Sequence, residues 1–536
     1  MTDEPRMRWW GWAEPDHPIE VSEAGEALLR REIELGDAVT PPVALEDVRL
    51  PDPRSLPDLG GVELRQDRET RVRHAAGRSY PDLVRLRSGD GSGAPDAVAY
   101  PASEEEVTAV VAACDAAGVA VVPFGGGTSV VGGVEALRRG HSAAIALDLA
   151  RLDSLTVDRP SLTATMGGGL PGRRAEARLQ GRGLTLGHFP QSFEFGTVGG
   201  YVATRSAGQA STGYGRADEM VVGLRCVAPA GLLVAKPVPA SAAGPSLVQL
   251  LVGSEGAFGP ITEATLAVRP LPAERRYEGW SFTSFEAGCA AFRAMEQGHV
   301  APDVARLSDE DETRMAMAMS SHGGVAERLG RGYLRARGHG AGCIAIVGWE
   351  GEEGQVARRA ADTRRVLRAH DGLPLGASPG RSWLRARYLG PYQRDELLGR
   401  GAFAETLETA TTWGNLAGLH RAVGGALREA LGARGTPALV ACHVSHLYPS
   451  GASLYFTFLA RAQPGEELDQ WAAAKRAAME AIVANGGTIT HHHAVGRDHA
   501  EWLREEIGDL GVEALRAVKD RLDPRGIMNP GKLLPE

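Results

Sequence analysis

Cysteine is scarce. The 536-residue chain has five, Cys114, Cys226, Cys289, Cys343 and Cys442, widely scattered and with no CxxC spacing. An odd, dispersed set excludes a disulfide framework and a cysteine zinc site, and it points to a reducing compartment. No apolar run reaches the length of a membrane span, and the opening MTDEPRMRWWGWAEPDHP does not have the pattern of a secretory signal. Positive charge is not in excess either. Lys plus Arg number 58 against 67 Asp plus Glu, a net charge of -9, which excludes a basic face for nucleic acid. Both common phosphate loops are missing, since there is no GxxxxGK[ST] and no GxGxxG opening a helix. Internal repeats and low-complexity segments are absent. These absences predict a cytoplasmic protein of two or three domains with ordinary globular composition, 43% hydrophobic and 23% charged.

What is present is a glycine loop. Val121–Gly133 reads VVPFGGGTSVVGG, an apolar strand feeding three glycines and two hydroxylated residues. Glycine lets the backbone approach a ligand closely, so that successive amides can converge on phosphate oxygens. The strand is delivered by a short unit. Asp96–Pro101 alternates like a strand. Ser103 with Glu106 forms a capping box, and Val107, Val110, Val111 and Cys114 line one face of a helix ended by Gly118. Further strands are expected at Ala144–Leu149, Leu162–Gly169, Val221–Val227 and Gly231–Val234, and a helix near Gly199 would place Thr197 at its N-terminus. Before Pro95 the chain reads as an extension, with three tryptophans in Met7–Trp12 anchoring it to the body or meeting a lipid surface, and with Arg71–Arg87 irregular. Beyond Leu271, helices at Phe285–Glu296, Gly354–His370, Leu416–Leu431 and Leu468–Asn485 alternate with strands at Cys343–Val347, Leu439–Val444 and Ser453–Ala460, an α+β pattern.

Three segments in order, PFGGGTSVVGG, QSFEFGTVGGYVATRSAG and GSEGAFGPITEATLAVRP, resemble the FAD-binding domain of the vanillyl-alcohol oxidase (PCMH) type. The resemblance implies an α+β fold: an FAD-binding domain of two α+β subdomains plus an α+β substrate-binding cap. It divides the chain into 1–94, the extension; 95–270, the FAD domain; 271–490, the cap; and 491–536, a segment returning to the flavin. It places the FAD pyrophosphate on Pro123, Phe124, Gly125, Gly126, Gly127, Thr128 and Ser129. The rest of the cofactor falls to Gln191, Ser192, Phe193, Glu194, Phe195, Gly196 and Thr197, to Thr204, Arg205, Ser206 and Ala207, and to Glu255, Gly256, Ala257, Phe258, Gly259, Pro260 and Ile261. Thr128 stands where covalent members carry a histidine, so FAD is expected to be non-covalent, with His141 and His188 as remaining attachment points.

The second half is similar to the alkyl-dihydroxyacetonephosphate synthase family. The likeness runs through MRWWGW, APDVARLSD, YQRDELL, LETATTW, GASLYFTF, the triplet His491-His492-His493 and LDPRGIMNP, nearly the whole chain. It implies a redox-neutral transferase that replaces the acyl chain of acyl-dihydroxyacetone phosphate by a fatty alcohol through a flavin N5 adduct. By resemblance, Tyr455 is the acid/base, Arg394 binds the substrate, and Arg306 and the triplet His491, His492 and His493 serve the catalytic site. The triplet sits in a strand-like context, where only His491 and His493 would share a face, so a metal site is not expected. The likeness also implies a homodimer with lipid-like small-molecule substrates, and any membrane contact would be peripheral, on the inner face.

Departures leave alternatives open. His443 follows Cys442 where the family has arginine, Thr457 replaces an aromatic, and Ala494 replaces a glycine. The tail NPGKLL resembles the lactate and glycolate dehydrogenase group. The other readings are an FAD-dependent oxidase or dehydrogenase of a 2-hydroxy acid or another alcohol, and a non-catalytic protein that binds flavin and lipid.

Overall fold

The computed structural model describes residues 7–12, 21–321 and 324–535, apart from the side chain of residue 326. Positions 1–6 and 13–20 of the extension lie outside the described residues. Three large sheets organise the chain, beside a two-stranded pair of Leu184–Thr185 with Arg269–Pro270. In the first, strands run in the order Glu63–Arg65, Ala97–Tyr100, Ala143–Asp148 and Val119–Phe124, with the last three parallel. The helix Glu104–Ala117 crosses between them. Ser103 accepts the Glu106 N–H at 3.2 Å, Glu106 reaches back to the Ala102 N–H at 2.7 Å, and Gly118 closes the end at φ 65°. The glutamate thus returns one residue earlier than a strict capping box requires.

The second sheet is antiparallel throughout, in the order Leu155–Asp158, Thr163–Gly167, Ile261–Ala267, Val221–Ala228 and Gly231–Ala235. The third has eight strands. Its main path is Leu373–Gly376, Glu274–Phe282, Cys343–Gly351, Val304–Ser308, Leu439–Val444, Gly451–Arg461 and Ala402–Thr412, with Leu447–Tyr448 pairing to Gly451–Arg461. Long helices pack on this sheet through Leu419, Val423, Leu427, Ala474, Ala478 and Ile482, all fully buried. On its other face Arg306 and Ser308, Ile344 and Ile346, and Tyr455, Thr457 and Leu459 alternate inward with the period of the pleat. All of these inward residues line one cavity.

Two expectations change here. Arg71–Arg87 is not irregular: Asp67 and Ser79 cap the helices Arg68–Arg73 and Tyr80–Arg87. Arginine-rich composition hid two good N-caps. Thr488–Gly496 is not a strand but a bent loop. It pairs with no sheet because its amides are taken by a side chain, as described below.

The segment before Pro95 is woven into the body. Glu63–Arg65 forms the edge of the first sheet, and Leu28, Leu29 and Ile33 pack against Ala402, Leu439 and Leu459 of the third and against Leu397 of the helix Gly390–Gly399. Trp12 is 4% exposed and its backbone N–H donates to Asp395 at 2.5 Å, while Trp10 stacks under Arg8 and Arg87. The tryptophans therefore anchor the segment. At the other end, Met528 bridges Val121 in parallel, the Val121 N–H donating to Ile527 O at 2.8 Å and the Asn529 N–H to Val121 O at 2.9 Å. Among the described residues no helix is long and apolar enough to cross a membrane.

Candidate active site and cofactor cradle

One cavity of about 800 Å³ joins the glycine loop to the inner face of the eight-stranded sheet. Its wall includes all of Pro123, Phe124, Gly125, Gly126, Gly127, Thr128 and Ser129. Gln191, Ser192, Gly196, Thr197, Thr204, Ser206, Ala207, Glu255, Gly256, Gly259, Pro260 and Ile261 complete that side. The loop is closely apposed to its neighbour. A Cβ on Gly126 would lie 1.9 Å from the Phe195 carbonyl oxygen, and one on Gly125 would lie 2.3 Å from Thr197 Oγ1. Thr197 caps the helix Val198–Ala203, its Oγ1 accepting the Gly200 N–H at 3.3 Å.

Six of the expected cofactor residues do not line the cavity. Phe193 stacks on Tyr388 with ring centroids 5.5 Å apart, Glu194 accepts from Tyr392 Oη at 2.6 Å, and Phe195 packs its ring on Trp12. Arg205 pairs with Asp218 at 3.1 Å, and Ala257 and Phe258 are core residues at 1% exposure. They hold the wall from behind. His141 and His188 are also outside it: His141 Nε2 lies 3.1 Å from Gly526 O, and His188 Nε2 lies 3.1 Å from Ser206 Oγ.

Glu255 has two faces. It lines the cavity, and its carboxylate accepts the Val495 and Gly496 N–H groups at 2.8 and 2.6 Å, which ties the loop after the histidine triplet to the cradle. Burial pushes its carboxyl up to about 7. Asn529 Nδ2 donates to the Glu255 carbonyl at 2.6 Å, so the chain's last segment reinforces the same point.

On the opposite wall, Tyr455 is flanked in register by His443 on one strand and Glu408 on the other. Its ring stacks on His443 at 4.8 Å and meets His493 edge-on at 5.5 Å. Burial pushes the Tyr455 hydroxyl up. Glu408 organises the triplet. Its carboxylate, 3% exposed, accepts the backbone N–H of His491, His492 and His493 at 2.5, 2.9 and 2.7 Å, and Thr490 Oγ1 at 2.8 Å. Burial opposes its charge, but His492, His493, His491 and the amides outweigh that and hold the carboxyl well below its usual range. The histidines themselves are pushed down by burial, His491 and His493 to about 3, so they are neutral at rest. His492 and His493 line the cavity, whereas His491 lies behind them against Tyr448 and His446.

The bent loop also changes which histidines converge. His446, His491 and His492, not His491 and His493, bring ring nitrogens within 4.8 Å of one another. Each already has a partner: Ser211 on His446, Tyr448 on His491, and His491 on His492.

Arg306 lies on the cavity wall, engaged by two other lining residues, Glu312 at 2.7 Å and the His443 ring nitrogens at 3.0 Å. Burial raises Glu312, yet Arg306 and His443 outweigh it and hold the carboxyl at about 2. His443 is pushed down, first by burial and then by Arg306. Arg394 also lines the cavity, paired at 3.6 Å with Glu405 and donating to the Arg78 carbonyl, not to its sequence neighbours Asp395 and Glu396. Its Nε is a buried donor with no protein partner among the described residues, as is Trp12 Nε1. Glu408, Glu405, Glu312 and His446 were missed by sequence reasoning. Glu408 lies in LETATTW, a stretch noted only for its likeness, and its role appears only once the triplet folds over it.

A glycine-walled cavity facing buried acid–base side chains defines the class, an FAD-dependent enzyme. The chain matches the family model for an FAD binding domain over residues 95–235 and that for the C-terminal domain of FAD linked oxidases over 271–533. Alkyldihydroxyacetonephosphate synthase of Trypanosoma brucei brucei is 35% identical over 489 residues, 89% of this chain and 79% of that protein. The Dictyostelium discoideum enzyme of the same name is 32% identical over 92% of this chain and 84% of its own. A solved alkyldihydroxyacetonephosphate synthase structure superposes with a TM-score of 0.85 at 28% identity, covering 98% of this chain and 99% of that one. The chain belongs to the alkyldihydroxyacetonephosphate synthase family, and its cofactor is FAD. The residues present fit that group. The loop admits no Cβ at Gly125 or Gly126, and Tyr201 Oη and Gln209 Oε1, buried on residues lining the cradle, have no protein partner among the described residues.

Proposed function

We propose that the chain exchanges the acyl chain of acyl-dihydroxyacetone phosphate for a fatty alcohol, releasing the fatty acid and forming an ether. One observation carries this reading: a single cavity unites the FAD cradle with Tyr455, Arg394, His492 and His493, and its wall also carries Met315, Met317, Met319, Leu397 and Leu459. Flexible methionines and leucines suit an alkyl chain, while unpartnered guanidinium and indole donors suit a phosphate or carbonyl oxygen. Bound FAD would supply reversible storage for the electron pair left at the acyl-bearing carbon when its proton is removed, while one oxygen substituent replaces the other. The rest falls to the chain. Pro123–Ser129 hold the pyrophosphate without a covalent bond to the protein. Arg394 anchors the substrate through Nε. Tyr455 Oη, kept protonated at rest by burial, takes the carbon-bound proton as its own hydroxyl proton passes to the neutral histidine wall, and the reverse exchange returns it. Arg306 lends positive charge tempered by Glu312. His492 and His493, neutral and oriented by Glu408, accept the proton of the incoming alcohol.

The working division is the one set by the family likeness: an FAD domain at 95–270, a cap at 271–490, and a segment at 491–536 that returns to the flavin. The protein acts as a cytoplasmic homodimer. Contact with a membrane is peripheral, through the helix Val325–Ala336, which exposes Val325, Leu329 and Tyr333 beside Arg328 and Arg331 and follows the cavity-lining helix Glu310–Met319.

The test is anaerobic incubation of the holoenzyme with acyl-dihydroxyacetone phosphate and hexadecanol. Ether product forms with no oxygen consumed and no net flavin reduction. Full reduction of the flavin at a catalytic rate by a 2-hydroxy acid would sink the proposal.

A further inference from the structure

We propose that His492, His491 and Tyr448 form a proton conduit from the catalytic cavity to a second, separate pocket on the surface. The inference rests on the proposed ether synthesis for its need, but on geometry for its path. In that reaction the ester C–O bond and the alcohol O–H bond break and the ether C–O bond forms. Because a fatty acid is ionised near neutral pH, it departs as a carboxylate. No electrons are gained or lost, and one proton per turnover is left in the cavity.

The path is continuous. His492 lines the cavity. Its Nδ1 lies 2.9 Å from Nδ1 of His491, and Nε2 of His491 lies 2.6 Å from the Tyr448 hydroxyl. Tyr448 lines an outer pocket of about 520 Å³, whose wall also includes Ser450, Thr488, Glu505 and Glu506. His491 lines neither space, so within this path it exchanges protons only through its two neighbours. A proton on His492 passes from Nδ1 to Nδ1 of His491. The proton on Nε2 of His491 moves to the Tyr448 oxygen, and the Tyr448 hydroxyl proton leaves to water in the outer pocket. The next proton, with the return tautomer shift of His491, resets the chain.

The surroundings favour transit over storage. Glu408 Oε2 lies 3.7 Å from His492 Nδ1 and steadies a passing imidazolium. Arg216 donates to the His491 carbonyl at 3.1 Å and is itself paired with Asp218. Glu219 also acts on Tyr448, His446 stacks on His491 at 4.9 Å, and His493 lies near enough to act on His491. Burial, His492, Arg216 and His493 outweigh Glu408 and keep His491 neutral at rest, so it does not retain the proton.

Tyr448→Phe removes one oxygen from the relay and tests it in two ways. In turnover, kcat should fall about tenfold or more at unchanged KM, with a larger solvent isotope effect. The second measurement needs no substrate. Reduction of the bound FAD by reduced methyl viologen draws one proton from solution for every two electrons, and an indicator dye reports it. Proton uptake should slow about tenfold in Tyr448→Phe while FAD content stays that of the wild type. Wild-type uptake rates in the variant overturn the conduit. If the wild type forms no ether, the proposed reaction falls and the viologen measurement still judges the conduit. If Tyr448→Phe loses FAD, a fluorinated tyrosine at position 448 preserves the shape and lowers the phenol pKa. The pH dependence of proton uptake should then shift, and an unshifted profile overturns the conduit.

Discussion

The cradle offers its ligand mostly backbone, while the opposite wall offers side chains held at several removes from the sequence. Gly125 and Gly126 press against Phe195 and Thr197 at distances no Cβ would allow. Tyr455, Glu408, His443 and the triplet come from three neighbouring strands and a loop, with His443 paired to Glu312 and the triplet's amides held by Glu408. The cradle depends on the absence of atoms. The acid–base wall depends on charge balance. One should fail when volume is added, the other when a proton or a carboxylate is removed.

The sharpest break comes from Gly126→Ala. A methyl group 1.9 Å from the Phe195 carbonyl forces two cofactor segments apart, so the purified protein should contain no FAD and no activity. Full flavin content would show the loop to be looser than its packing. Tyr455→Phe should do the reverse, keeping FAD and melting temperature while lowering kcat by about a hundredfold or more. Wild-type turnover would remove Tyr455 from the chemistry. Glu408→Gln cannot satisfy three amide N–H groups with one carbonyl oxygen, and a loss of about 3 kcal/mol in chemical denaturation is expected, with FAD still bound. An unchanged midpoint would mean that the triplet loop stands without its carboxylate.

Acid should separate the two regions further. Burial holds His188, His491, His493 and His499 at about 3, against ~6.5 when solvated. Between these values the unfolded chain binds the extra protons, so their stabilising effect is complete above ~6.5 and is lost as pH falls toward 3. Glu255 and Asp498, raised to about 7 by burial, have the opposite sign and lose stabilisation as pH rises through 7. Four groups outweigh two, so the melting temperature should fall as pH is lowered from ~6.5 toward ~4. A flat profile would place protons on these histidines in the fold. The smallest effect is expected from Ala494→Gly. Ala494 sits at φ 76°, the left-handed region where a Cβ is crowded, and glycine there should add about 1 kcal/mol of stability.

Much of the first region could be read from residues alone, because its determinants are local. Glycines after an apolar strand, a cap at Ser103 and a stop at Gly118 act within a few positions of one another. The lining role of Arg394, Tyr455, His492 and His493 was legible only through family likeness. What escaped was the non-local part. Thr488–Gly496 has strand-like composition, yet Glu408, more than eighty residues earlier, takes its amides and bends it. The charge on Arg306 looks free in APDVARLSD and is engaged by Glu312 six residues on, through a turn that composition does not announce. Thr457, expected from the family likeness to replace an aromatic, lies on the cavity wall.

The pairing of Met528 with Val121 has a consequence for how the protein is made. The strand that carries the glycine loop completes its edge only with residues near the end of the chain, and Asn529 bonds Gly133 across 396 positions. Such a contact closes late, after a long search, and leaves an open strand edge until it does. The cradle is therefore completed only when the segment around Met528 is in place. Without Met528 that strand edge would be open to edge-to-edge association.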